Sequence, residues 1–118
     1  MTLTPLELDI MKAVWRDPPV TVRDVHTTVQ SSRNLAYTTV MTVMARLYHK
    51  GFLTRTLKSR AHYYEPSIRY ESAREEAVVK LVDAYFGGSR EELMDFLGGS
   101  ETSDYRFTAP NSLDETLL

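Results

Sequence analysis

Apolar residues recur at helical spacing through the first fifty positions, then alternate, then return to helical spacing. Thr4-Pro5-Leu6-Glu7 opens the first periodic stretch with a hydroxyl cap, a proline at the first helical position and an acid at the third. The helix is expected to run to about Arg16 and to stop before Asp17-Pro18-Pro19. It carries two apolar stripes: Leu6, Ile10, Ala13 and Val14 on one side, Leu8, Met11 and Trp15 on the other. A helix that is apolar on two sides is packed from two sides. One stripe is therefore expected in a core and the other against the C-terminal segment or a second chain. Thr21-Val22-Arg23-Asp24 starts a short second helix to about Val29, with Val22, Val25 and Val29 inward. Gln30-Ser31-Ser32-Arg33-Asn34 reads as a polar turn.

The stretch from Ala36 to Gly51 is the centre of the pattern. Val40, Val43, Met44 and Leu47 share one helical face. The opposite face carries Thr38, Thr42, Ala45 and His49, with Thr39, Met41 and Arg46 on its shoulders. Ala36 at the cap offers a weaker entry than the two threonines, and Lys50-Gly51 is a usual exit. An outward surface that is small, hydroxylic and free of acid suits a DNA groove. The plainer alternative is a threonine-tolerant solvated helix.

After Gly51 the period changes. Phe52 to Leu57 alternates like a half-buried strand, Lys58-Ser59-Arg60 makes a basic turn, and Ala61 to Glu65 returns until Pro66. Tyr63 and Tyr64 fall on opposite faces, so one packs inward and the other meets solvent or DNA. Three helices followed by a hairpin is the order of a winged helix-turn-helix domain, mainly α with a small β wing. A hairpin that merely packs on the core is the alternative, and the basic tip argues against it.

Ser72-Ala73-Arg74-Glu75 reads as another capping box, before an amphipathic helix bearing Ala73, Ala77, Val78, Leu81, Val82, Tyr85 and Phe86 and ending at Gly87-Gly88. Ser89-Arg90-Glu91-Glu92 caps a further short helix with Leu93, Met94, Phe96 and Leu97, closed by Gly98-Gly99. Two striped helices of this size cannot bury themselves and need a partner surface. Residues 100–118 are polar and aperiodic and expected to be poorly ordered, with any helical pattern confined to Leu113 to Leu118. The expected organisation is a winged-helix domain over 1–67, dimerisation helices over 68–98 and a polar tail over 99–118.

Composition adds bounds. At 118 residues the chain holds one core and an appendage. It has no cysteine, which excludes disulfides, thiolate metal sites and cysteine nucleophiles. No apolar run is long enough to span a membrane and no signal peptide is visible, so a cytoplasmic location without membrane insertion is expected. The net charge of -2 would discourage a nucleic-acid reading if it were spread evenly. It is not. From Val25 to Tyr64 there is no Asp or Glu, while Arg33, Arg46, Lys50, Arg55, Lys58 and Arg60 all fall there with three histidines. A polyanion responds to local potential more than to the sum.

No constellation for catalysis is present. There is no glycine-rich phosphate loop and no nucleophile elbow, and the histidines lack metal-ligand spacing. His49 and His62 are better read as neighbours of phosphate contacts. Glu75-Glu76 and Glu91-Glu92 sit at helix starts, where the dipole favours acids. No enzyme activity, no cofactor and no metal are expected.

At Leu35-Ala36-Tyr37-Thr38-Thr39-Val40-Met41-Thr42-Val43-Met44-Ala45-Arg46-Leu47, then Lys50-Gly51 and Arg60-Ala61-His62-Tyr63-Tyr64, the chain resembles the penicillinase-repressor family of the BlaI, MecI and CopY type. Glu7, Met11, Trp15 and Gly87-Gly88 extend the likeness, which covers about Leu3 to Leu97. The resemblance implies a homodimeric winged-helix repressor of resistance or stress genes that binds inverted-repeat operators, typically with TACA and TGTA half-sites. It implies that Thr38, Thr39, Met41 and Thr42 face bases and that Arg46 and Arg60 lie near phosphates or the minor groove. It also implies dimerisation through the C-terminal helices and control through a membrane-sensor protease pathway. Three departures stand out. The cysteine cluster of the copper-responsive members is missing, no Asn-Phe bond of the kind cleaved in β-lactam-responsive members occurs, and a polar stretch replaces the family's last helix.

The expected partner is double-stranded DNA. The expected DNA-binding set is Arg33, Tyr37, Thr38, Thr39, Met41, Thr42, Arg46, Lys50, Arg55, Lys58, Arg60 and His62. The expected homodimer contacts are Leu8, Met11, Trp15, Val78, Leu81, Val82, Tyr85, Phe86, Leu93 and Leu97. The rival reading is a winged-helix protein-interaction module without specific DNA binding. It requires acidic or apolar residues on the outer face of the third helix, and Thr38, Thr42, Ala45 and His49 are neither acidic nor large and apolar.

Overall fold

The computed structural model describes residues 2–99 of the chain. Five helices and one hairpin follow in order: α1 (Pro5–Arg16), α2 (Val22–Val29), α3 (Tyr37–His49), β1 (Leu53–Lys58), β2 (Ala61–Pro66), α4 (Tyr70–Tyr85) and α5 (Arg90–Gly98). The expectations for residues 100–118 lie outside the described residues. The chain divides into two compact units between Glu75 and Glu76, within α4.

In the first unit, the local signals act as their chemistry requires. Thr4 accepts from the Glu7 N–H while Glu7 accepts from the Thr4 N–H, and Thr21 and Asp24 repeat the exchange for α2. These reciprocal bonds satisfy donors that a helix start leaves open. Ile10, Met11 and Val14 of α1 meet Val25 and Val29 of α2, Val40, Val43, Met44 and Leu47 of α3, and Phe52, Leu53 and Tyr64 of the hairpin. All are buried in one cluster. Gly51 leaves α3 with φ of 90°, a left-handed value that any side chain would resist. The chain then enters β1 at once, with the Phe52 N–H donating to the Leu47 carbonyl.

β1 and β2 pair antiparallel from Leu53↔Pro66 to Lys58↔Ala61. Leu53, Arg55 and Leu57 thus share a face with Tyr64 and His62. That face is core at its base, where Leu53 and Tyr64 are buried, and open near its tip, where Leu57 is 63% exposed. Tyr64 is the tyrosine that packs inward, and Tyr63 stays half-buried. The α1–α2 link also joins the hairpin: Val20 and Tyr64 exchange backbone bonds of 3.0 and 2.7 Å. A single paired residue after Pro19 leaves no periodic trace, so this bridge has no sequence signature.

Two expectations need correction. α4 begins at Tyr70, so Ser72 lies within its first turn and is not its cap. The Ala73 N–H donates to the Arg69 carbonyl, which starts the helix earlier. The cause is tertiary: the Trp15 Nε1–H donates to the Ile68 carbonyl at 2.9 Å, and its ring meets Tyr70 edge-on at 5.3 Å. Met11, expected to offer surface to a second chain, is fully buried in the first unit's own core. It has no outward area to offer.

In the second unit, the Gly88 N–H donates to the Val82 carbonyl as the chain leaves α4, and Ser89 caps α5 by accepting from the Glu92 N–H. The Phe86 and Phe96 rings lie 5.6 Å apart and tie the two helices. Val82 is buried, whereas Leu81 and Phe96 are about two-fifths exposed and Tyr85, Met94 and Leu97 lie two-thirds exposed or more. Among the described residues, no helix is long and apolar enough to cross a membrane.

Candidate nucleic-acid interface

α3 has no side-chain cap at Ala36, and the preceding loop supplies the fastening instead. His26 of α2 bonds the Leu35 carbonyl at 2.9 Å, so its Nε2 carries the proton, and its ring meets Tyr37 edge-on at 5.7 Å. The Gln30 side-chain oxygen accepts from the Leu35 N–H at 3.1 Å. These contacts fix where α3 begins. Its four core residues then fix its rotation, which leaves Thr38, Thr39, Thr42 and His49 exposed. Tyr37 and Met41 are also exposed, at 43% and 44%. The outer face is neutral, hydroxyl-rich and methyl-rich along its length.

The charges are arranged differently from their order in sequence. Glu7 of α1 is 1% exposed and reaches under α3. Its carboxylate accepts from Arg46 Nε at 3.0 Å and from Lys50 Nζ at 3.0 Å to both oxygens. Burial alone pushes this carboxyl up. The bond from the Thr4 N–H and those from Lys50 and Arg46, with the attraction of the Lys50 charge, outweigh burial and hold it down at about 2. Asp9, one turn earlier on the same chain segment as Ala13, bonds Arg33 Nε at 2.5 Å. The window without acids is therefore not free of acids in space. Three of its cations, Arg33, Arg46 and Lys50, are met by α1.

The remaining three lie on the wing. The Arg55 guanidinium stacks over the Tyr48 ring at 4.1 Å and reaches the Tyr64 hydroxyl at 3.5 Å. Lys58 lies 5.9 Å from the Tyr63 ring centroid. Lys58, Arg60 and His62 are exposed at the tip. Among the described residues, none of Arg55, Lys58 and Arg60 has an acidic partner. Ser59 and Arg60 turn the hairpin with φ of 51° and 69°. A two-residue turn of this hand matches the twist of the strands, but it favours Asn-Gly, and here two side chains bear the strain. Leu57, exposed beside Lys58, was not singled out by sequence reasoning. Strand alternation marks it as inward, and only the hairpin's reach past the core exposes it.

The expected dimer residues fall in three environments. Leu8 and Trp15 are half-buried, and Trp15 is occupied by Ile68 and Tyr70. Val78, Phe86 and Leu93 are half-buried and Val82 is buried. Leu81, Tyr85 and Leu97 are exposed.

A family sequence profile described as penicillinase repressor matches residues 3–106. The transcriptional regulator BlaI of Mycobacterium tuberculosis is 46% identical over 65 residues, 54% of this chain and 47% of that protein. The chain thus spans about half the length of that relative. The penicillinase repressor of Staphylococcus aureus is 20% identical over 88 residues, 75% of this chain and 70% of that one. Among solved structures, the DNA-binding domain of the repressor BlaI superposes with a TM-score of 0.53 at 24% identity, over 59% of this chain and 90% of that one. The monomeric form of Bacillus licheniformis BlaI in complex with the blaP half-operator gives 0.53 at 24% identity, over 60% and 87%. At such identities the likeness establishes the fold, a winged helix. Because the profile match runs through all the described elements and covers most of the length, the chain belongs to the penicillinase repressor family.

Proposed function

We propose that this chain is a non-enzymatic, cytoplasmic transcriptional repressor that binds an inverted-repeat operator as a homodimer. The observation that carries the reading is the outer face of α3, where Thr38, Thr42, Tyr37 and Met41 stand exposed with no acid among them. Thymine methyls, base acceptors and base donors in the major groove are matched by such methyl and hydroxyl groups. The wing cations Lys58 and Arg60 suit the flanking phosphates. Two relatives point the same way: one solved structure is a DNA-binding domain of a repressor, and another carries a half-operator. In this reading residues 1–67 bind DNA and residues 68–98 dimerise. The family resemblance extends it to resistance or stress genes under a membrane-sensor protease.

Thr42→Ala tests the readout. It removes one hydroxyl and one methyl from the centre of the face. The variant should lose roughly 1 to 3 kcal/mol on the preferred operator and almost nothing on random DNA, measured by fluorescence anisotropy. Equal losses on both would take Thr42 out of base reading.

Arg60→Gly separates the two roles of the wing tip. Glycine accepts a positive φ without strain, so the fold should gain on the order of 1 kcal/mol in urea denaturation. The same change removes a phosphate contact and should lower the log-log salt slope of binding by about 0.9. A more stable protein with an unchanged slope would remove Arg60 from the interface.

A further inference from the structure

Among the described residues, Glu7 is the one charged side chain that is buried. A single cation would neutralise it. It takes two, Arg46 on the flank of α3 and Lys50 just past its end, four residues apart. Like charges at that spacing repel each other, and the carboxylate between them relieves the repulsion. The outer face of α3 has no other Lys or Arg, since Thr38, Thr42, Ala45 and His49 occupy it. Resting on the DNA-binding reading above, we propose that Glu7 is a specificity-determining residue that withholds Arg46 and Lys50 from DNA phosphates.

The physical basis is the difference between two kinds of affinity. Binding to arbitrary sequence is supplied almost wholly by cations that displace counterions from phosphate, whereas discrimination comes from base contacts. A helix that presented Arg46 and Lys50 freely would bind any duplex more tightly and dilute the contribution of its threonines. With both held on Glu7, one of the two positive charges is cancelled, the electrostatic attraction comes mainly from the wing, and the outer face of α3 meets the groove without a Lys or Arg. The residue acts without touching DNA.

The test is the salt dependence of binding to a random-sequence duplex, by anisotropy at several KCl concentrations. Glu7→Gln keeps a residue that can complete the capping box with Thr4 while removing the charge that holds the two cations. Its slope should steepen by about 0.9 for each cation released, and its affinity for random DNA should rise. Adding Lys50→Met to Glu7→Gln should take back about 0.9 of that slope. In the parent, Lys50→Met should leave the slope where it was, unlike Arg60→Gly. Trp15 fluorescence verifies that Glu7→Gln is folded at the temperature used; if it is not, the comparison of Lys50→Met with Arg60→Gly in the parent decides alone. An unchanged or shallower slope in folded Glu7→Gln would overturn the proposal, as would a Lys50→Met loss equal to that of Arg60→Gly. A parent protein with no salt-dependent DNA binding would instead fail the functional reading itself, and this inference with it.

Discussion

Leu81→Asp should yield a monomer with an intact winged-helix unit and poor affinity for a palindromic operator. Leu81 is 42% exposed on α4, in the second unit, where Tyr85, Met94 and Leu97 are exposed more fully still. Soluble chains seldom leave so many large apolar side chains uncovered on two short helices. Two copies related by a twofold axis would cover them and would space two recognition helices about one DNA turn apart, roughly 34 Å. A carboxylate placed in that contact would be buried without a partner, at a cost of several kcal/mol. The loss in operator affinity should be on the order of a hundredfold or more, because linking two half-sites raises effective concentration without any new contact. Sedimentation reads the oligomeric state and anisotropy reads the affinity. A Leu81→Asp protein that stays dimeric, or that binds the operator as tightly as its parent, would remove α4 from the dimer contact. The winged-helix core is expected to be spared, because Leu81 takes no part in the buried cluster of α1, α2, α3 and the hairpin.

Acid should weaken the first unit through Glu7. Its carboxyl is held at about 2 in the folded chain, against an ordinary value of 4.5. A lowered folded value means that the stabilisation is fully present above the unfolded value and is lost as pH falls through the folded one. The window is therefore pH 4.5 down to 2, and the contribution lost is about 3 kcal/mol. Urea denaturation across this range should show the parent losing that much more stability than Glu7→Gln. The variant should be the weaker protein at neutral pH and nearly its equal at pH 2. Parallel curves would mean that the ionised carboxylate gives no net stability, as some buried ion pairs do not.

The helices and the wing were legible because their causes are local. Thr4 with Glu7 and Thr21 with Asp24 are three apart, and each pair makes the reciprocal bonds that its spacing suggests. Val40, Val43, Met44 and Leu47 turn inward because their spacing puts them on one stripe, and the threonines turn outward for the same reason. The basic turn at Ser59-Arg60 could be placed from its flanking alternation. What escaped the sequence is set by contacts across the chain. Glu7 reads as a cap, and nothing in its neighbourhood tells that it meets residues 39 and 43 positions later. Arg33 looked free for the same reason, with Asp9 24 positions away. The start of α4 was misplaced because a local Ser-x-x-Glu pattern lost to Trp15, which holds Ile68 and Tyr70 in position. Charge read along the chain thus overstated how many cations α3 has to spare, while the threonine face of α3 was read correctly as exposed.

The most direct measurement is a selection of duplexes from a random-sequence library by the full chain, followed by sequencing of those retained. The expected result is an inverted repeat whose half-site centres lie about one helical turn apart, with two chains bound per duplex. Recovery of duplexes with no shared sequence, or of a motif without twofold symmetry bound by a single chain, would contradict it.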